Sequence, residues 1–341
     1  MTAFTVGVSR DFLDAQDRNV WGDICLDRLT EAGHSWEYLP RVVDAFTPED
    51  LAPYDGVIFA APAVTANSFR DGTPRPRVLA RFGVGYDTVD LDGCTAHDVA
   101  VTITPDGARR PVATAALTML LAVLGNVAVK DRLVRERRWA ERDQHMGLGL
   151  SGITVGLIGV GNTGSDLVGL LAPFGVRVLG HDPFCPPERA RALHVELVSR
   201  EELAARSDAV VVMAALTPAT RHLVDHAFLA AMRSTAVLIN VARGPIVDEI
   251  ALVDALRAGR IRAAGLDVFA TEPPTSGIEL LPNVTLAPHA LAWTSEMSRG
   301  NGGSCVQAIL DVAEGRVPAH VVNRDVLERP GFQARLAAAL P

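Results

Sequence analysis

Apolar and polar positions fall in blocks along this chain, and the blocks read as strands alternating with helices. Short apolar, partly β-branched runs recur at residues 4–8, 36–39, 55–61, 79–82 and 99–105. A polar helical stretch is expected after the first strand, running to Glu31 and stopped by Gly33. Residues 112–129 are Ala- and Leu-rich and apolar all round, which predicts a buried helix opened by Pro111. Residues 130–149 are charged and then Gly-rich, an exposed helix and loop in which Trp139 is a candidate anchor for a partner subunit. A second series follows, with strands at 153–158, 175–182, 207–215, 236–242, 263–269 and 283–289 and short helices between them. This alternation predicts an α/β fold with parallel sheets covered on both faces.

The second series opens on the stretch around which the chain is organised. The strand Ile153-Thr-Val-Gly-Leu-Ile runs into Gly159-Val-Gly161-Asn162-Thr163-Gly164, and an apolar helical stretch follows. Strand, Gly-x-Gly-x-x-Gly turn and helix together form a dinucleotide-binding fingerprint. Gly159 allows the tight turn, Gly161 the approach of a pyrophosphate, and Gly164 close packing of helix on strand. Asp182 ends the next strand, 18 residues after Gly164, near the spacing of ~20 for an acid that binds a ribose 2′-OH. Such an acid repels a 2′-phosphate and favours NAD over NADP; the alternative is a turn aspartate before Pro183.

Ligands of an open parallel sheet bind beyond the carboxyl ends of its strands. Asp182, Thr217, Arg243, Asp267, Glu272 and His289 each follow a predicted strand, so they are expected to converge on one cofactor cleft. Arg243 offers a planar fork for a carboxylate or carbonyl oxygen. His289 can exchange a proton near neutral pH, and Glu272 can orient it and favour its charged form. In the first series, Gly83 and Gly85 frame a turn at a strand end, read either as an anion cradle or as an ordinary βα turn. Arg109 and Arg110 are read either as solvated charges or as a hold on an anionic substrate.

Composition narrows the function classes. A length of 341 residues predicts two domains, and 48% hydrophobic residues suffice for sizeable cores. A net charge of −8 with no basic tract argues against nucleic-acid binding. No apolar run reaches the ~18 residues of a membrane span, and residues 1–6 lack the pattern of a secretion signal. The four cysteines are scattered, which predicts reduced thiols in a cytoplasm and no metal site. The histidines lack ligand spacing, and no Gly-x-Ser-x-Gly elbow is present.

Six stretches together resemble the D-isomer-specific 2-hydroxyacid dehydrogenase family: Arg81-Phe-Gly-Val-Gly-Tyr-Asp, the fingerprint, Leu216-Thr-Pro-Ala-Thr-Arg-His-Leu, Ile239-Asn-Val-Ala-Arg243-Gly-Pro-Ile-Val-Asp, Gly265-Leu-Asp267-Val-Phe-Ala-Thr-Glu272-Pro and Ala287-Pro-His289. The resemblance implies two Rossmann-like, doubly wound parallel-sheet domains. A flavodoxin-like substrate-binding domain would comprise residues 1–103 and 295–341, and an NAD-binding domain residues 104–294. It implies a catalytic set of Arg243, Glu272 and His289, with the amides of Val84 and Gly85 on the substrate carboxylate. Asp267 would contact the nicotinamide carboxamide, and Thr220, Val241 and Ala242 would border the cofactor. The family's members are usually homodimers.

The implied reaction is NAD-dependent interconversion of an (R)-2-hydroxy acid and its 2-oxo acid, a small anionic substrate. Departures from the family pattern are Thr114-Ala115 where Glu-His is frequent, Asn162-Thr163 where Arg-Ile is frequent, and the Arg109-Arg110 pair. That pair motivates an alternative, oxidation of phosphite or action on a phosphonate-bearing acid. An NAD-sensing corepressor with the same fold is a further alternative. Phe82, Trp293 and residues 61–68 are the expected surroundings of the substrate side chain.

Overall fold

The computed structural model describes residues 3–338, which divide into two units, residues 3–108 with 293–338 and residues 109–292. The sequence places these divisions at 103/104 and 294/295.

The first unit holds five strands: β1 (Thr5–Val8), β2 (Ser35–Tyr38), β3 (Gly56–Phe59), β4 (Val78–Arg81) and β5 (Ala100–Thr102). All pair in parallel, in the order β2-β1-β3-β4-β5. That is the flavodoxin-like order, with its reversal between β1 and β3. Helix Ser295–Ala313 covers one face. Gly56 on β3 makes room for it: a Cβ there would lie 2.5 Å from Ile309 Cδ1. On this side Phe4, Val6, Ile58, Val78 and Ala80 are buried with Val306, Ile309 and Val312.

The second unit holds seven parallel strands: β6 (Thr154–Ile158), β7 (Arg177–His181), β8 (Val195–Leu197), β9 (Ala209–Val212), β10 (Val237–Asn240), β11 (Ala263–Leu266) and β12 (Val284–Leu286). Their order is β12-β11-β10-β9-β6-β7-β8. β6 pairs with both β7 and β9, Val155 lying opposite Val178 on one side and Ala209 on the other. The sheet therefore reverses at β6, and the fingerprint leaves from that switch point. β9, β10 and β11 are buried at every position, as strands covered on both faces must be.

Several elements differ from the sequence expectation. The stretch after β1 is mostly loop, with an α-helix only at Asp27–Glu31. Its short polar side chains satisfy nearby amides instead: Asp14 accepts from Gln16 and Arg18, Asn19 from Trp21, and Asp23 from Cys25. Such local bonds compete with helix formation.

The long apolar helix starts at Pro105 rather than after Pro111, and it ends at Leu124. Pro111 thus lies inside it, removing the donor that would have reached Gly107. Gly125 and the left-handed Asn126 (φ 53°) separate this helix from the next, Val127–Arg135. By length and composition alone Pro105–Leu124 is long and apolar enough to cross a membrane, although Asp106, Arg109 and Arg110 interrupt its first turns and no unbroken apolar run of 18 residues is present. Ala113, Ala116, Met119, Leu120 and Val123 are buried in the core of the second unit. Strand β8 was not expected, because Val-Glu-Leu is short and carries an exposed residue at its centre.

Candidate active site

The glycines of the fingerprint have three separate physical roles. Gly159 has φ 97°, and a Cβ there would come within 2.8 Å of the Ala214 amide nitrogen beyond β9. Gly164 begins the buried side of helix Asn162–Leu171, and its Cβ would lie 2.4 Å from the Gly159 carbonyl oxygen. Gly161 is different, because a Cβ there would meet nothing. Its open side adjoins the start of that helix, which has no side-chain cap. Uncapped amides at a helix start suit a pyrophosphate. Glycines required by close backbone approach, with one facing open space, fit a dinucleotide.

Asp182 turns back onto this loop. Its Oδ2 accepts from the Val160 amide at 2.8 Å, and its Oδ1 accepts from the Phe184 amide at 2.9 Å. The two bonds fix the carboxylate beside the glycine turn and leave each oxygen a lone pair for a ribose hydroxyl. Arg189 was not singled out from the sequence. Its Nη2 donates to Asn162 Oδ1 at 3.3 Å and to Ser165 Oγ at 3.0 Å, bringing a guanidinium to the flank of the same helix start.

The loops after β9, β10, β11 and β12 touch one another. Thr217 and Thr220 close a turn: the Thr217 amide donates to Thr220 Oγ1 at 2.7 Å, and that hydroxyl donates to the Ala215 carbonyl at 2.7 Å. The His222 amide then donates to the Pro245 carbonyl at 2.9 Å, joining this loop to the one after β10. Asn240 is buried at the end of β10 and shapes the turn that presents Arg243. It accepts from the Ala242 amide at 3.0 Å and donates to the Arg243 carbonyl at 3.0 Å. Val241 is buried, whereas Ala242 and Arg243 are half-buried. The Arg243 guanidinium donates through Nη1 to the Ala242 carbonyl at 2.8 Å.

Gly244 wedges against the loop after β11, where a Cβ would fall 1.8 Å from the Phe269 carbonyl oxygen. On that loop the Phe269 amide donates to Glu272 Oε1 at 3.1 Å, and the Ala270 amide donates to Glu249 Oε2 at 2.8 Å. Glu272 Oε2 lies 2.8 Å from His289 Nδ1. Asp267, buried at the end of β11, accepts from the Ala290 amide at 3.0 Å and from the Leu291 amide at 3.2 Å. It thereby pins the chain just past His289, whose φ is 54°. Burial raises the Asp267 pKa above the ordinary aspartate value, against the Leu291 and Ala290 amides, which lower it.

Arg243, Glu272 and His289 are thus held on loops tied to one another at one end of one sheet. The sequence did not single out Asn240, Gly244 or Glu249. A signal existed for Asn240, a polar residue closing an apolar strand. None existed for Gly244, whose requirement is set by a carbonyl 25 residues away.

Val84 and Gly85 belong to the first unit and follow β4. Gly83 has φ 136°. Its amide donates to Thr104 Oγ1 at 2.9 Å, and that hydroxyl donates to Asn301 Oδ1 at 2.8 Å. This buried chain rigidifies the turn, and Val84 is exposed beyond it. Among the described residues the Val84 and Gly85 amides meet no acceptor. Arg109 and Arg110 lie within the long helix, and Arg110 pairs with Asp166 at 3.0 Å. Among the described residues no cluster of three His, Cys, Asp or Glu side chains is placed to hold a metal ion.

Residues 117–290 match the family described as D-isomer specific 2-hydroxyacid dehydrogenase, NAD binding domain. The chain is 39% identical over 253 residues to D-3-phosphoglycerate dehydrogenase of Mycobacterium leprae, covering 74% of this chain and 48% of that protein. It spans about half the length of that and several other curated relatives it matches. It is 36% identical over 272 residues to the glyoxylate reductase of Thermococcus onnurineus, covering 77% of this chain and 81% of that one. A solved protein from Thermus thermophilus superposes with a TM-score of 0.82 at 32% identity, covering 93% of this chain and 99% of its own. NAD is thus the cofactor of the second unit, and the chain belongs to the D-isomer specific 2-hydroxyacid dehydrogenase family.

Proposed function

We propose that this protein is an NAD-dependent dehydrogenase interconverting an (R)-2-hydroxy acid and its 2-oxo acid, with Arg243, Glu272 and His289 as its catalytic set. The observation that carries the reading is the 2.8 Å contact between His289 Nδ1 and Glu272 Oε2. It commits one ring nitrogen to the carboxylate, so Nε2 is the atom that exchanges a proton with substrate. Bound NAD supplies the hydride acceptor in oxidation and, reduced, the donor in the reverse direction. As the 2-oxo acid is reduced at C2, its carbonyl oxygen takes a proton from His289 Nε2. Glu272 stabilises the charged imidazole before that transfer. Arg243 binds the carboxylate and polarises the carbonyl, and the Val84 and Gly85 amides hold the carboxylate.

The amides of Gly161, Asn162 and Thr163 would hold the pyrophosphate, and Asp182 the ribose 2′-OH. Thr217, Thr220, Val241, Ala242 and Asp267 would border the nicotinamide end. The Arg110–Asp166 pair engages one of the two arginines that motivated a phosphite or phosphonate substrate. Exposed Trp139 and Met146 support a homodimer, and four unpaired cysteines support a cytoplasmic setting.

NADH oxidation is to be measured across 2-oxo acids of graded size and charge, with NADPH in parallel. Turnover of at least one acid, with NADH preferred, is expected; no turnover of any acid overturns the reading.

A further inference from the structure

Two of the four tryptophans of this chain meet in the first unit, although 271 residues lie between them. Trp21 and Trp293 stack with ring centroids 4.3 Å apart and planes 22° from parallel. Behind them, Trp21 sets its edge against Phe82 at 4.7 Å, and Phe82 meets Phe12 edge-on at 5.0 Å. Phe12 and Phe82 are buried, whereas Trp293 remains 43% exposed. The outer indole is therefore a surface backed by three further rings. It cannot swing aside without losing the stack, which is worth about 1 kcal/mol beyond simple burial.

Its connections tie this surface to the groups that handle substrate. Phe82 directly precedes the Gly83-Val84-Gly85 turn, and Trp293 lies four residues after His289. We propose that the Trp21–Trp293 stack is the specificity surface for the substrate side chain, selecting 2-oxo acids with an apolar, preferably aromatic, substituent. The inference rests on the function proposed above and names its substrate class.

The charges nearby favour an uncharged substituent. The loop that carries Trp21 contains four aspartates within residues 11–23. Arg10 is paired with Asp17, Arg18 with Asp14 at 2.8 Å, and Arg299 with Asp23 at 3.1 Å. These three guanidiniums are each already matched by a carboxylate, so none of them offers an uncompensated positive charge to a phosphate or second carboxylate on the substrate. An aromatic substituent would gain dispersion and stacking against the indole face.

The test is kcat/KM with NADH for glyoxylate, pyruvate, 4-methyl-2-oxopentanoate, phenylpyruvate and 3-phosphohydroxypyruvate, in the wild-type protein and in Trp293→Ala, Trp293→Phe and Trp21→Ala. The wild type is expected to favour phenylpyruvate. Trp293→Ala is expected to lower the ratio of phenylpyruvate to glyoxylate by about tenfold or more, chiefly through KM. Trp293→Phe should recover most of that ratio, and Trp21→Ala should lower it in the same sense. A merely structural role would lower activity on every acid alike and leave the ratio unchanged, which overturns the inference. A rise in phenylpyruvate turnover in Trp293→Ala also overturns it, by making the indole a plug. So does a wild-type preference for glyoxylate or 3-phosphohydroxypyruvate. Absence of turnover on all five acids refutes the proposed function and this inference with it; turnover without discrimination refutes only the inference.

Discussion

Gly244→Ala tests whether the loops of Arg243 and Glu272 are mechanically one unit. The added methyl would sit 1.8 Å from the Phe269 carbonyl oxygen, 1.9 Å from its carbon and 2.5 Å from the Ala270 nitrogen. Ordinary contact begins near 3.4 Å, so the site is about 1.6 Å too tight, and every obstructing atom is backbone. No rotamer change relieves that. One loop must move by more than ~1 Å, and each is tethered, the Arg243 turn by Asn240 and the Phe269 loop by Glu272 and Glu249. Overpacking of this kind costs about 1–3 kcal/mol, or roughly 3–10 °C in Tm for a domain of this size. A ~1 Å misplacement of a catalytic group costs about 100-fold in rate. Thermal unfolding and kcat/KM with NADH and the best 2-oxo acid measure the two effects. A variant within about 1 °C and about twofold of wild type would refute the coupling.

The fingerprint glycines should separate by role. Gly161→Ala is expected to unfold at the wild-type temperature yet bind NADH more weakly, whereas Gly164→Ala loses stability because its methyl meets the Gly159 carbonyl; calorimetry and NADH titration distinguish them, and equal behaviour contradicts the assignment. Asp267, with its folded pKa raised by burial, contributes stability that is present below the ordinary aspartate pKa and is lost as pH rises through the folded value. Asp267→Asn lacks that slope, so its Tm relative to wild type should improve from about pH 4.5 to about pH 7.5; a constant difference would count against the buried charge. Cys94 and Cys305 are fully buried, with burial pushing the Cys94 thiol up to about 12, and Cys185 is buried as well. A thiol reagent should therefore modify only Cys25 in the native protein and all four after denaturation. Two rapidly labelled native thiols would be inconsistent with this packing.

The strands were legible in the sequence because a parallel sheet covered on both faces needs unbroken apolar runs, as at Ala209–Val212 and at residues 237–239. Strand ends were legible too, since each run stops at a polar residue that the sheet delivers to one edge. β8 escaped because an edge strand with exposed Glu196 has no such run. The loop after β1 reads as helix by composition, and only the aspartate and asparagine bonds to nearby amides reveal otherwise. His289 and Glu272 could be named from the sequence, but the bonds that aim them could not. Asp267 grips the amides after His289 from across 23 and 24 residues, and Gly244 yields to a carbonyl on a neighbouring loop. The stacking of Trp21 on Trp293 likewise exists only once the first unit has folded.

In the proposed reaction His289, oriented by Glu272, moves the proton that accompanies hydride transfer. Single-turnover reduction of the preferred 2-oxo acid by the NADH-loaded protein, comparing wild type with His289→Ala, tests it most directly. General acid–base catalysis contributes about 10²–10⁴-fold, so a loss in that range is expected, with NADH affinity retained and the (R)-2-hydroxy acid as the wild-type product. A His289→Ala protein that reduces the acid at a near-wild-type rate would contradict it.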